Sequence, residues 1–218
     1  MKIKTYDDIQ VCILQSTHDP LEMIGLASNI TMKKDFNEQI NPALIKRLID
    51  MNHTSLFEHI NYTFLIKGAS RSFLAQMTRH RIASYTSGSQ HYQNYSECPT
   101  IISKKHINDF AFKQYLNDAM ENYQSLISQG IPHEEARQIL PNAMENNLIV
   151  TMNARSLMNF FNLRLCRRNT EEIRVVALKL RELLSLHFPE LWEQIGPDCF
   201  MTKCKQGKMS CNNPVGDF

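Results

Sequence analysis

The sequence predicts an α+β fold: a small β-sheet flanked by several long helices, in a single domain over 1–218. Three observations carry that expectation. Residues 60–67 alternate cleanly, with Ile60, Tyr62, Phe64 and Ile66 on one side and Asn61, Thr63 and Lys67 on the other, the pattern of a half-buried strand. Several longer segments place apolar residues at helical spacing. No Gly-rich turn joins a strand to a helix as in the Rossmann dinucleotide folds, and there is no internal repeat or low-complexity tract.

In chain order, residues 9–16 read as a short strand with Val11, Ile13 and Gln15 on one side. Asp19-Pro20 starts a helix by the N-cap and N1 preferences, carrying Leu21, Ile24 and Leu26. Asn41-Pro42 repeats the device, and Leu44, Ile45, Leu48 and Ile49 form the stripe of the next helix. Asn52-His53 closes it, which puts His53, Ser55 and Glu58 on the connector into the strand at 60–67. Ser70 caps a helix whose Phe73, Leu74 and Met77 face the core, while Gln76, Arg79 and His80 share another face. Residues 93–104 are irregular around Pro99. A long helix over about 108–128 presents Phe112, Tyr115, Leu116, Ala119, Tyr123, Leu126 and Ile127 to a core or an oligomer interface. Pro132 opens a short helix with Glu134 and Glu135 in its first turn, and Pro141 stops it. Residues 148–151 read as a second central strand. The helix from Arg155 buries Leu157, Phe161 and Leu165, with Arg155, Asn159 and Asn162 opposite. Arg164 falls inside its apolar arc, so it lies past the helix end or meets an anion, because a buried guanidinium is costly unpaired. The last long helix carries Ile173, Val176, Ala177, Leu180, Leu183 and Leu184; Arg174 is on its flank and Arg181 reads as a surface charge.

The stretch 79–92, Arg-His-Arg followed by Ile-Ala-Ser-Tyr-Thr-Ser-Gly-Ser-Gln-His-Tyr, organises the functional reading. It contributes little to a core and much to anion binding. Guanidinium forks match phosphate geometry, and hydroxyls with free N–H groups in a Gly-containing loop add donors. A solvated basic helix end, favoured by the helix dipole, is the plainer alternative for the same residues.

Four segments together resemble the flavin-dependent thymidylate synthases. Arg79-His80-Arg81, seven residues, then Ser89 resembles the signature of that family. His53-Thr54-Ser55-Leu56-Phe57-Glu58-His59 resembles its H-x-[ST]-x-F-E-H segment. Residues 152–164 are similar to its C-terminal helix, and Glu172-Ile173-Arg174 to its E-I-R. The resemblance implies the family's fold and its reaction: dUMP becomes dTMP, with methylenetetrahydrofolate giving the one-carbon unit and NADPH-reduced FAD the hydride. It further implies that His53, Ser55, Glu58, Arg79, His80, Arg81, Asn162 and Arg164 hold FAD. Gln76, Arg79, Ser87, Ser89, Gln90, His91 and Arg174 would contact dUMP, with Ser89 and Arg174 as the catalytic pair. It implies a homotetramer whose sites combine loops from several subunits. Most of the chemistry belongs to the cofactor; no cysteine stands in a basic polar loop beside a base, which disfavours a thiolate-dependent thymidylate synthase.

The chain departs from the family pattern on the nucleotide side. Thr86-Ser87 stands where many members have Asn-Glu, His91 where they have Arg, Asn147 where a basic residue precedes the second strand, and Asn169-Thr170-Glu171 where some have Ala-Gln-Trp. Losing a fork arginine forfeits about 1.5–3 kcal/mol per charged hydrogen bond. A relative that methylates or hydroxymethylates a different pyrimidine nucleotide therefore stays open, as does a non-catalytic nucleotide- or RNA-binding module. Net charge of +2 creates no general field for nucleic acid, so no nucleic-acid partner is expected.

With 43% hydrophobic and 21% charged residues the chain is globular. No apolar run spans a membrane and no leader is read at the start, so a cytoplasmic location is expected, with the six cysteines reduced. The spacing Cys199-x4-Cys204-x6-Cys211 fits none of the usual CxxC pairs and no histidine lies near. No metal is expected, and the tail from about 199 to 218 reads as a mobile end with free thiols.

Overall fold

The computed structural model describes residues 2–35 and 41–216. The strands are β1 (Ile3–Thr5), β2 (Gln10–Ser16), β3 (Asn61–Ser70), β4 (Ser84–Ser87), β5 (Thr100–Ile102) and β6 (Glu145–Asn153). The helices are α1 (Pro20–Met32), α2 (Ala43–Asp50), α3 (Arg71–Met77), α4 (Phe110–Ser128), α5 (His133–Ala136), α6 (Ala154–Arg164), α7 (Glu171–His187), α8 (Pro189–Trp192) and α9 (Asp198–Met201). A four-stranded sheet runs in the order β2–β3–β6–β4, and β1 pairs with β5 in parallel. The architecture is α+β, as the sequence predicts.

The helix starts predicted at Asp19-Pro20 and Ser70 are present for the reasons that predict them. Helix α2 follows Pro42 without a side-chain cap, and α6, expected from Arg155, is capped by Asn153. Asp19 accepts from Glu22 N–H at 2.9 Å and Pro20 occupies the first turn. Ser70 accepts from Phe73 N–H at 3.0 Å, and Asn153 from Ser156 N–H at 2.8 Å. Each satisfies one of the donors a helix start leaves open. Four readings need correction. Helix α3 stops at Met77 with Thr78 as its C-cap, so Arg79 and His80 lie beyond it and share no helical face with Gln76. Part of the hydroxyl-rich segment is the strand β4, although it has no aliphatic face to bury. Residues 93–104 contain β5. Asn147 lies inside β6, which begins at Glu145 rather than Leu148.

The chain forms two compact units, each with its own interior. The first comprises Met1–Gln10, Ile66–Arg79 and Tyr85–Ile149. Its core gathers Ile66, Phe73, Met77, Ile101, Leu116, Met120, Tyr123, Met144 and Leu148, all buried. On α4 only the arc through Leu116, Met120 and Tyr123 is buried; Phe112 and Tyr115, expected at a core or an oligomer interface, are exposed.

The second unit comprises Val11–Leu65, His80–Ser84 and Val150–Phe218. An aromatic chain runs through it. Tyr62 meets Trp192 edge-on at 5.8 Å between centroids, Trp192 meets Phe161 at 5.5 Å, Phe161 meets Phe160 at 5.4 Å, and Phe160 meets the His80 ring at 5.0 Å. Such pairs contribute about 0.5–1.5 kcal/mol each beyond burial. Trp192 Nε1 donates to the Tyr62 hydroxyl at 3.2 Å, so the aromatic core keeps its polar handles satisfied. Arg181 corrects the surface reading: it is 8% exposed, donating to the carbonyls of Ile195 at 2.8 Å and Glu193 at 3.0 Å, with Phe200 beneath its guanidinium. In the tail, Val215 is buried; residues 217 and 218 lie outside the described residues.

Candidate active site

In the second unit the predicted cofactor residues interlock. Arg164 is the last residue of α6, half-buried, and its Nε donates to His80 Nε2 at 3.0 Å. Its Nη1 donates to Asn169 Oδ1 at 3.1 Å. The awkward helical phase of Arg164 thus brings its guanidinium onto His80 and Asn169. Because His80 Nε2 accepts, the ring is neutral with its proton on Nδ1. Electrostatics agree: burial, then the Arg164 charge, push the His80 pKa down to about 4. Asn162, two residues earlier, donates to Asp198 Oδ1 at 3.0 Å, and Lys205 holds the same oxygen at 2.8 Å. These two bonds and the Lys205 charge hold the Asp198 carboxyl below its ordinary range, against the opposing effect of burial. Asn162, Arg164, Asn169 and Asp198 line a cavity of about 240 Å³.

A 3-10 turn over Thr54–His59 carries the second predicted group. His53 caps its start after the left-handed Asn52 (φ 56), the backbone turn that ends the preceding helix. His53, Ser55 and Arg155 line a cavity of about 370 Å³ with Thr31 and Thr54. Glu58 is paired with Arg155. Among the described residues no carboxylate lines this cavity; its imidazole, hydroxyls and guanidinium are a donor set suited to a phosphate or pyrophosphate. The donor chemistry fits the phosphorylated part of a flavin dinucleotide. Arg81 is exposed in the segment following His80.

In the first unit the predicted nucleotide residues are held through the backbone. Gln76 lies half-buried in the last turn of α3, and Arg79 is exposed two residues past it. Ser87 ends β4 with its side chain exposed, and Gly88 N–H donates to Asn147 O at 3.3 Å. Arg71 Nη1 donates to the Gly88 carbonyl at 3.2 Å and to Asn146 Oδ1 at 3.4 Å. A Cβ on Gly88 would stand 3.1 Å from the Tyr95 hydroxyl and 3.3 Å from Asn146 Oδ1, so a side chain here would have to press those two groups aside by a few tenths of an ångström. The Tyr95 hydroxyl donates to Ser89 O at 3.0 Å, and Ser89 Oγ accepts from His91 N–H at 3.2 Å. His91 Nε2 is 2.6 Å from Glu134 Oε2, and its ring lies on Tyr92. Gln90 lines a cavity of about 440 Å³ with Arg71, Thr78, Arg137 and Gln138. Asn147 Oδ1 accepts from Gly68 N–H at 3.0 Å, so this departure from the family pattern holds β3 and β6 together.

Arg174 lies on α7 in the second unit, half-buried, with Nε donating to Leu165 O at 3.2 Å. The structure therefore groups His80, Asn162 and Arg164, and separately His53, Ser55 and Glu58, and it ties Ser89 to His91. Sequence reasoning missed Arg71, Arg137 and Asn169 as polar members, and Arg155 as the partner of Glu58. A clue existed for Arg155 alone, the polar face it shares with Asn159 and Asn162. Cys98 is no nucleophile: burial and the neighbouring Glu145 push its thiol up to about 11.

The family model described as thymidylate synthase complementing protein matches residues 12–190. The flavin-dependent thymidylate synthase of Geobacter sulfurreducens is 33% identical over 217 residues, covering 93% of this chain and 94% of that protein. The flavin-dependent thymidylate synthase of Saccharolobus solfataricus is 35% identical over 206 residues, 88% of this chain and 79% of that one. Among solved structures, a UMP/dUMP methylase, PolB from Streptomyces cacaoi bound with 5-Br dUMP, superposes with a TM-score of 0.76 at 25% identity, covering 88% of this chain and 96% of that one.

Proposed function

The chain belongs to the flavin-dependent thymidylate synthase family, and from that premise we propose that it converts dUMP to dTMP. Methylenetetrahydrofolate supplies the one-carbon unit and NADPH the electrons. Bound FAD supplies the hydride that completes the methyl group. The observation that carries this reading is the neutral His80 locked against Arg164 within a polar cluster. A fixed guanidinium beside an uncharged imidazole positions an electron-rich, phosphorylated cofactor.

The chain's own residues bind and orient. His53 and Ser55, with Arg155 steadied by Glu58, present donors for the cofactor's phosphates. Arg79, His80, Arg81, Asn162 and Arg164 complete the cofactor side. Gln76, Ser87, Ser89, Gln90, His91 and Arg174 contact dUMP, with Ser89 and Arg174 nearest the reacting ring. Polarising the uracil so that C5 attacks the one-carbon unit needs hydrogen-bond donors aimed at its oxygens, not a covalent nucleophile. The protonated Cys98 accords with that. The assembly is a homotetramer with sites shared between subunits, and the location is cytoplasmic; no helix among the described residues is long and apolar enough to cross a membrane.

A second reading has its own support: the pyrimidine substrate differs. His91 is engaged by Glu134 and Asn147 by Gly68, and both stand where the family pattern has cations. The structural neighbour PolB is titled a UMP/dUMP methylase. Purified protein assayed with methylenetetrahydrofolate, NADPH and either dUMP or UMP separates the readings. dTMP formation with dUMP-dependent flavin oxidation is the expected result. Turnover confined to UMP would transfer the assignment to the second reading, and a protein that never carries flavin would defeat both.

A further inference from the structure

We propose that Cys166, Cys199, Cys204 and Cys211 form a structural zinc site that clamps the C-terminal segment to the end of α6. The sequence spacing alone argues for no metal, because the tail shows no CxxC pair and no nearby histidine. The fold changes that count. Cys166, in the loop after α6, joins Cys199, Cys204 and Cys211 around one cavity of about 380 Å³. Four cysteines on one cavity match the ligand number and type of closed structural zinc sites. The remaining two cysteines, Cys12 and Cys98, lie outside it.

Local geometry is suited to closing the site. Cys199 stands on α9, and the four-residue gap to Cys204 is the upper end of usual zinc-ligand spacing. Between Cys204 and Cys211 the chain makes a 3-10 turn over Gly207–Met209, reversed by Gly207 at φ 52 and followed by Asn212 at φ 52. Left-handed residues of this kind let a short loop wrap an ion. Val215 N–H already donates to Cys199 Sγ at 3.4 Å, the amide-to-sulfur contact that supports metal-bound thiolates. Arg168 ties the turn down by donating to the Met209 carbonyl.

Charge is balanced on the same cavity. Binding one Zn²⁺ releases four thiol protons and leaves a centre of net charge −2. Arg167, Arg168 and Lys203 line the cavity and offset it. Among the described residues no three His, Cys, Asp or Glu side chains already stand together as a metal-holding group. Closure therefore needs the exposed Cys204 and Cys211 to move inward as the ion binds, coupling metal to folding of the tail.

The test uses the full chain, expressed with added zinc and purified under reductant without chelator. Metal analysis is expected to find about one zinc per chain, released by a mercurial thiol reagent into a metallochromic dye. Replacement by Co²⁺ is expected to give thiolate-to-cobalt charge-transfer bands. Cys204→Ser and Cys211→Ser should weaken zinc retention roughly tenfold or more, whereas Cys12→Ser and Cys98→Ser keep it. If the tail variants fail to fold, metal content and cobalt spectra of the unsubstituted chain decide alone. Folded protein carrying no zinc, with these four thiols freely reactive or paired as disulfides, overturns the proposal whether or not the chain makes dTMP.

Discussion

In the second unit the candidate cofactor residues grip one another, side chain to side chain; in the first, the candidate nucleotide residues are held by main-chain bonds. His80, Arg164 and Asn169 form one linked group, and Glu58 with Arg155 another. Ser87 and Ser89 instead project from a segment pinned by Arg71, Tyr95 and the Asn147 carbonyl, which touch only its backbone. Interlocked side chains fix a site's chemistry, because changing one strands its partners. Backbone pinning fixes position while leaving side chains open to change. The departure from the family pattern at Ser87 lies in the backbone-held region, where replacement costs the fold least, whereas His91 is also tied side chain to side chain to Glu134.

The largest expected effect breaks the comparison if it fails. Ser89→Ala or Arg79→Ala should lower turnover about a hundredfold or more, the scale of losing a transition-state donor. Melting temperature should stay essentially unchanged, since neither side chain belongs to a core stripe. Loss of folded protein in these variants would make the residues structural. Next in size, Arg164→Ala should weaken flavin retention roughly tenfold to hundredfold, equivalent to about 1.5–3 kcal/mol of charged hydrogen bonding. Equilibrium dialysis followed by flavin absorbance checks it, and Arg164→Lys should not rescue, because an ammonium lacks the fork.

A smaller effect sharpens the nucleotide side. The double change His91→Arg with Glu134→Gln frees a guanidinium from its ion pair and should lower KM for dUMP about tenfold. An unchanged KM would mean that position 91 does not face the nucleotide. The smallest effect concerns pH. The folded His80 pKa, about 4, lies below the ordinary value of 6.5. The unfolded chain therefore takes up a proton first as pH falls, and stability present above about 6.5 is lost progressively toward about 4. His80→Asn should flatten that part of the melting-temperature profile; an unaltered slope would remove His80 as its source.

What was legible in the sequence follows from where the signal is local. Asp19 and Ser70 announce helix starts because a cap is a bond within three residues. The alternation through Tyr62, Phe64 and Ile66 announces β3 because one face is buried. Strand β4 has no such face; its hydroxyl-rich residues pair through main-chain groups that no side-chain pattern reports. Arg181 hides for a related reason. Its acceptors are carbonyls of Glu193 and Ile195, and helical phase cannot foresee a loop folding back to meet it. At the candidate site the residue types were readable from motif order, while the Arg155–Glu58 and Arg164–Asn169 partnerships needed the fold.

The bond from Gly68 to Asn147 makes one departure hard to undo. Gly68 adopts φ 77, and its amide hydrogen is received by the Asn147 side chain. Restoring a cation at 147 would strip that amide of its acceptor, at about 1–3 kcal/mol if nothing replaces it. Position 147 is therefore as much a strut between two strands as a neighbour of the site, and any cation placed there has to bring a new acceptor for the Gly68 amide with it.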